Sequence, residues 1–311
     1  MDIKLAIVIP AYKIEYFQYV LGSLAVQTDK RFNVYIGIDA SKDDFESLII
    51  EYKDRINIIC KRFENNLGGN NLVAQWNRCL ALIQDEEWIW LFSDDDVMDN
   101  NCVELFYQEL EKKENFDIFH FDVEILNEKN KIIKKTKLYP EVINALDFLK
   151  KKNSAKLDSF VVEYIFKRSV FEKLGGFQYF DLAWGTDIAT WAKLSKQNGI
   201  KTIKNAKVFW RQSNINITPI KDKPILIKKL LANICFFNWC KSYFPELTHV
   251  NIYYYMFRII FHYSPYLKTS DFMSFVKPFY CSTYIGKVYY YIIMLFFPSF
   301  PFFHNLIHKF K

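Results

Sequence analysis

Ser93-Asp94-Asp95-Asp96 stands directly behind the apolar run Trp88-Ile89-Trp90-Leu91-Phe92, and three adjacent carboxylates repel one another unless a cation sits among them. Hard divalent ions such as Mg2+ or Mn2+ take one or two carboxylates together with phosphate oxygens, so the run reads as a metal–diphosphate site. The bland alternative is a solvated turn in which Asp96 or Asp99 helps to start the next helix. Asp39-Ala40-Ser41-Lys42-Asp43-Asp44 follows a second apolar run, and Thr186-Asp187 opens a late amphipathic stretch. Asn65-Asn66-Leu67-Gly68-Gly69-Asn70-Asn71 suits close backbone approach and hydrogen bonds to a sugar or phosphate, or is an ordinary connection. Arg211, in Trp210-Arg211-Gln212-Ser213, suits a diphosphate or a surface ion pair.

The elements that must position these residues alternate short apolar runs with longer amphipathic stretches, the pattern of a mostly parallel α/β sheet. Strands are expected at Leu5–Ile9, Phe32–Ile38, Ile56–Cys60 and Trp88–Phe92, with helices at about 14–27, 44–53, 70–83 and 101–113. Phe116–Ile125 and Lys131–Lys137 read as a hairpin joined by Asn127-Glu128-Lys129-Asn130, which makes the pairing mixed. Ala183–Asn198 reads as a loop entering a helix and Lys201–Trp210 as a closing strand. In open sheets of this kind ligands collect beyond the carboxyl ends of the strands, where the acidic residues fall.

The chain has 311 residues, is 51% hydrophobic and carries a net charge of +6, enough apolar material for a sizeable core and no signature of disorder. Six cysteines without CxxC spacing fit a reducing compartment better than a disulfide scaffold. The first apolar run ends at Pro10, too short for a signal-peptide core, so secretion is not expected. His120 reads as a strand residue rather than a metal ligand, and Trp191 as core.

Pro10-Ala11-Tyr12 after a strand, the Asp39 motif, the Asn-rich glycine loop, Trp76-Asn77-Arg78, Asp94-Asp95-Asp96, Gly175-Gly176-Phe177 and Trp184-Gly185-Thr186-Asp187 occur in the order seen in family 2 glycosyltransferases. The chain resembles that family over about residues 1–215. The resemblance implies a GT-A fold, a nucleotide-sugar donor with UDP favoured, a Mg2+ or Mn2+ ion, and inversion at the anomeric carbon. It implies donor contacts at Pro10, Ala11, Tyr12, Asp39, Ser41, Asn70, Asp94 and Arg211, metal binding at Asp95 and Asp96, and a catalytic base at Asp187. Trp184 and Gly185 fall on the acceptor side. Ser93 departs from the family's acidic motif by occupying its first aspartate position.

Composition divides the chain at Pro219: residues 220–311 hold 11 Lys+Arg against 3 Asp+Glu and 26 of the 57 aromatics. We therefore expect a catalytic part over 1–219 and a basic, aromatic-rich helical segment over 220–311. The longest uninterrupted apolar stretch there, Val288–Phe297, is ten residues, short of the roughly 20 that a spanning helix needs. The segment reads as helices lying on an anionic membrane surface, the alternative being packing on the catalytic part or on a second subunit. Its apolar content argues against nucleic acid. The expected activity is metal-dependent sugar transfer to a glycan or lipid-linked saccharide in cell-surface polysaccharide assembly, at the cytoplasmic face of the cell membrane. Two rivals are a sugar nucleotidyltransferase, which would want a basic glycine-rich loop where Pro10-Ala11-Tyr12-Lys13 stands, and a non-catalytic sugar-nucleotide binder or scaffold.

Overall fold

The computed structural model describes residues 4–213 and 222–309, and divides into two compact units, Met1–Gln178 with Thr190–Ser213 and Tyr179–Ala189 with Asn214–Lys311. The compositional boundary at Pro219 lies outside the described residues. Tyr179–Ala189, which composition assigns to the first part, belongs to the second unit. Trp184, Gly185 and Asp187 go with it.

The first unit follows the expected alternation. β1 (Leu5–Ala11), β2 (Phe32–Asp39), β3 (Ile58–Phe63) and β4 (Trp88–Leu91) are separated by α1 (Phe17–Ala25), α2 (Phe45–Ile50) and α3 (Leu72–Leu80). Then come β5 (Val97–Met98), α4 (Cys102–Glu111), β6 (Ile118–Leu126), β7 (Ile132–Lys135), β8 (Val142–Ile143) and α5 (Ala145–Asn153). β9 (Tyr164–Lys167), α6 (Arg168–Lys173), α7 (Thr186–Leu194) and β10 (Ile200–Arg211) complete the sheet and its helices, α7 starting within the second unit.

The sheet runs β3-β2-β1-β4-β9-β6-β10-β5, with β7 on β6 and β8 on β10. β3, β2, β1 and β4 are parallel, while β9 enters antiparallel to both β4 and β6. Leu5 through Ile9 are completely buried, as a central parallel strand covered on both faces requires. The hairpin forms as expected: Asn127 Oδ1 accepts the backbone N–H groups of Lys129 and Lys131, and Asn130 takes a positive φ of 57°. His120 is buried on β6, stacked 3.8 Å from Tyr139 and 3.4 Å from Glu163, and burial pushes its imidazole down to about 3. Trp191 is core, stacked on Tyr164.

The second unit is helical: α8 (Lys223–Tyr243), α9 (His249–Tyr263), α10 (Met273–Cys281), α11 (Tyr284–Phe296) and α12 (Phe300–Lys309). A 3-10 turn at Phe297–Ser299 carries α11 into α12, giving a 24-residue helical run, Tyr284–Ile307, long and apolar enough to cross a membrane by length and composition. This corrects the ten-residue limit read from the sequence. Pro298 and Pro301 interrupt the apolar run but sit in the first turns of their helices, where a missing N–H costs nothing.

Candidate active site

In the sheet β1 lies between β2 and β4, with the chain proceeding to opposite sides, so the crevice between the carboxyl ends of β1 and β4 is the topological switch point. Asp94 joins these two strand ends. Its Oδ2 accepts the backbone N–H groups of Tyr12 at 2.7 Å and Lys13 at 2.8 Å, residues 82 and 81 positions away. Such charge-assisted bonds fix the loop after β1 against the acidic turn after β4. Pro10 and Ala11 lie within β1 itself, Ala11 buried, and the Tyr12 ring is half exposed.

Ser93 has a definite part in the turn. Its hydroxyl lies 2.8 Å from Asp95 Oδ1 and 2.6 Å from Asp96 Oδ2, bridging two carboxylates that would otherwise face each other unscreened. Asp96, 1% exposed, also accepts the backbone N–H of Arg211 on Oδ1 at 2.6 Å. It therefore does not cap α4, and Asp99 does not either: its carboxylate accepts the Lys207 N–H at 2.9 Å, and α4 starts from Asn101 without a side-chain cap. Asp95 commits only Oδ1 to the turn among the described residues.

Arg211 ends β10 and is completely buried. Its guanidinium donates to the Asp95 carbonyl at 2.7 Å and the Asn127 carbonyl at 3.1 Å, and sits 4.3 Å from the Tyr16 ring centroid. Its charge thus lies against the backbone of the acidic turn. Arg211 is buried rather than on the surface. Burial dominates the titration of all three aspartates: Asp94 is pushed up to about 6 by burial and by Asp95, and Asp95 and Asp96 are raised as well. Three carboxyl groups held above their usual range in one crevice are matched to a cation or a proton.

Behind β2, Asp39 is 3% exposed, with both carboxylate oxygens in hydrogen bonds. Oδ1 and Oδ2 accept the N–H groups of Leu67 and Gly68, both at 2.7 Å, and Arg78 forms an ion pair with Oδ1. Gly68 is needed for this approach, since a Cβ there would lie 2.7 Å from Asp39 Oδ2. Arg78 also donates to the Asn65 carbonyl at 2.9 Å and lies 3.9 Å over the Phe63 ring. α3 that carries it is capped by Asn71, whose side chain accepts the Ala74 N–H. Ser41 forms a local turn with Asp43, and its carbonyl accepts from Arg62. Asn70 is exposed on the loop. In the sequence Arg78 stands only as part of Trp76-Asn77-Arg78; its charge, 39 residues from Asp39, becomes informative only when the chain folds back.

In the second unit, Asp187 stands in the first turn of α7, inside the helix rather than at its cap. The residues before it are unusual: Leu182, Ala183 and Gly185 have φ of 58°, 54° and 85°. A Cβ on Gly185 would lie 3.3 Å from the Phe236 ring on α8, and Lys229 of α8 holds its ammonium 4.6 Å from the Trp184 ring. Trp184 itself is half-buried.

Among solved structures, the fold is similar to S. aureus TarS 1-349 in complex with UDP-GlcNAc, with a TM-score of 0.60 at 10% identity over 100% of this chain and 93% of that one. TarS 1-349 in complex with UDP aligns at a TM-score of 0.57 and 12% identity, over 100% and 92%. GalNAc-T7 with UDP, GalNAc and Mn2+ aligns at 0.54 and 11%, over 96% of this chain and 58% of that one. No curated protein matches the sequence. The neighbours establish the GT-A fold, and the family model described as glycosyl transferase family 2 matches residues 6–175, more than half of the chain. The acidic turn at the switch point lies within that match, and the protein belongs to glycosyl transferase family 2.

Proposed function

We propose that this glycosyltransferase moves a sugar from a UDP-sugar to a hydroxyl of a glycan or lipid-linked saccharide in cell-surface polysaccharide assembly, with inversion at the anomeric carbon. The observation that carries the reading is the crevice behind β1 and β4, where Asp94 ties the strand ends and three carboxyl groups are held above their usual range. The structural neighbours hold UDP-GlcNAc, UDP, or UDP with GalNAc and Mn2+, which supports a uridine nucleotide. Uracil presents one ring N–H between two carbonyls, and Asp39 with Arg78 offers the matching acceptor and donor. Pro10, Ala11 and the exposed Tyr12 border the nucleotide, Ser41 and Asn70 lie on the loops beside it, and Asp94 keeps that border in place.

Asp95 supports a divalent cation here: it retains a carboxylate oxygen outside the bonds that form the turn, and its raised pKa reflects a charge that burial leaves undercompensated. Mg2+ or Mn2+ would be held by Asp95, with Asp96 beside it, and supplies charge stabilisation for the departing diphosphate. Arg211 adds positive charge beneath the turn. Asp187 acts as general base, taking the acceptor hydroxyl's proton as that oxygen attacks, and Trp184 with Gly185 borders the acceptor. Six free cysteines support a reducing, cytoplasmic setting.

The test is calorimetry and thermal shift with UDP-, GDP- and dTDP-sugars, each with and without Mn2+ or Mg2+. A ligand at 100 times its Kd stabilises the folded state by about 2.7 kcal/mol. Metal-dependent stabilisation by the uridine series is expected. Folded protein that responds to no uridine nucleotide removes the reading.

A further inference from the structure

The run Tyr284–Ile307 has two apolar faces. One is buried in its own unit: Tyr289 lies 6.1 Å from Tyr253 and 6.3 Å from Tyr280, Phe297 lies 4.9 Å from Phe272, and Phe300 lies 5.5 Å from Phe257. The other is bare. Tyr284, Tyr291, Leu295, Phe296 and Phe302 are each exposed by half or more, with Leu306 close to half, on a stripe repeating every three or four residues. The run is about 36 Å long at 1.5 Å per residue. With side chains of roughly 200 Å² each, the stripe exposes on the order of 1,000 Å² of apolar surface, beyond the few hundred that soluble monomers leave bare.

We propose that this face beds in the headgroup region of an anionic bilayer, with the helix axis parallel to the membrane plane. Charge selects that occupant. After Asp271 the chain carries Lys277, Lys287, Lys309 and Lys311 and no acidic residue, and Lys277 and Lys287 are exposed. Anionic lipid complements that charge, whereas a second copy would bring lysine against lysine. Orientation follows from the packing: a helix with one face buried against α9 and the turn before α10 cannot be ringed by lipid, so the run meets the requirement of length for spanning but not that of surroundings.

This inference stands apart from the sugar-transfer reading and is tested on the full chain without donor. The protein is floated with vesicles of phosphatidylcholine alone and of phosphatidylcholine with a minority of phosphatidylglycerol. Preference for the anionic vesicles, weakening with salt, is expected, and the double variant Leu295→Glu, Phe302→Glu should lose binding by roughly tenfold or more while melting like the parent. Both positions are exposed, so the fold does not depend on them. Equal flotation of variant and parent overturns the proposal, as does a lipid-free dimer that the variant dissolves. Retention of the parent in vesicles after alkaline carbonate extraction overturns the in-plane orientation. UDP calorimetry on the same variant reads the donor site separately.

Discussion

Replacing Arg78 by Met keeps an unbranched apolar stem and removes the charge and the donors. Asp39 then loses one of three interactions but keeps the N–H groups of Leu67 and Gly68, so its buried charge is not orphaned. The loss should therefore fall below the roughly 3–5 kcal/mol of a fully broken buried pair. A hydrogen bond to a charged group is worth about 1.5–3 kcal/mol, and the partly exposed guanidinium places Arg78→Met toward the lower end of that range in urea unfolding. The larger effect should fall on the nucleotide, because Arg78 anchors Asn65 of the glycine loop and, in the proposed binding mode, faces the base. Losing about 1.4–2.8 kcal/mol there raises the Kd for UDP by about 10- to 100-fold. Calorimetry with UDP and Mn2+ reads this directly, and Arg78→Lys should recover only part of it, since a point charge does not reproduce a planar fork. A Kd within about twofold of the parent, on protein that still folds, would refute the argument that Asp39 and Arg78 act as a unit on the base.

Two other outcomes follow from the site. The folded chain holds protons on Asp94, near 6, and on Asp95 and Asp96, all raised by burial, whereas the unfolded chain releases them near pH 4. These groups therefore cost stability as pH rises through about 4 to 6 when no cation is present, and the stabilisation by Mn2+ over EDTA should grow across that window in thermal melts; a gain that is flat with pH would detach the metal from this turn. Asp187→Asn should lower turnover by about 10²- to 10⁴-fold with UDP-sugar affinity unchanged, and an equal loss of both would make Asp187 a structural residue of α7.

β1 and β4 were legible because each is an unbroken apolar run, Leu5–Ala11 and Trp88–Leu91, and β4 leads into the acidic turn. β9 is four residues long and α5 ends in Lys150-Lys151-Lys152-Asn153, so neither carries enough periodicity to declare itself, and β5, at two residues, exists only because Val97 and Met98 meet Phe209 and Val208. The acidic turn was visible as three adjacent aspartates, but the division of labour among them was not. That Asp94 binds the Tyr12 and Lys13 backbone and that Asp96 receives the Arg211 N–H are contacts across as many as 115 residues, and they fix the turn in which Ser93 bridges its neighbours. Likewise the attachment of Tyr179–Ala189 to the helical unit rests on Phe180 meeting Phe236 and on Gly185 seating against the same ring, which composition does not record.

Leu182 and Ala183 both occupy the left-handed region just before Trp184, a conformation that costs L-residues roughly 1–2 kcal/mol each. Local bonds offset part of this, the Leu182 N–H to Asp181 Oδ1 at 2.9 Å and the Ala183 and Trp184 N–H groups to the Phe180 and Asp181 carbonyls at 3.1 and 3.0 Å, and the anchorage of Phe180 and Gly185 on Phe236 adds to them. The loop leading to Asp187 is thus a wound spring whose catch is an aromatic ring on a helix some fifty residues later in the chain. In genetic terms the two places are bound together: damage at Phe236 is felt at the loop, and glycine at 182 or 183, which relaxes the spring, is the change that a suppressor of such damage would carry.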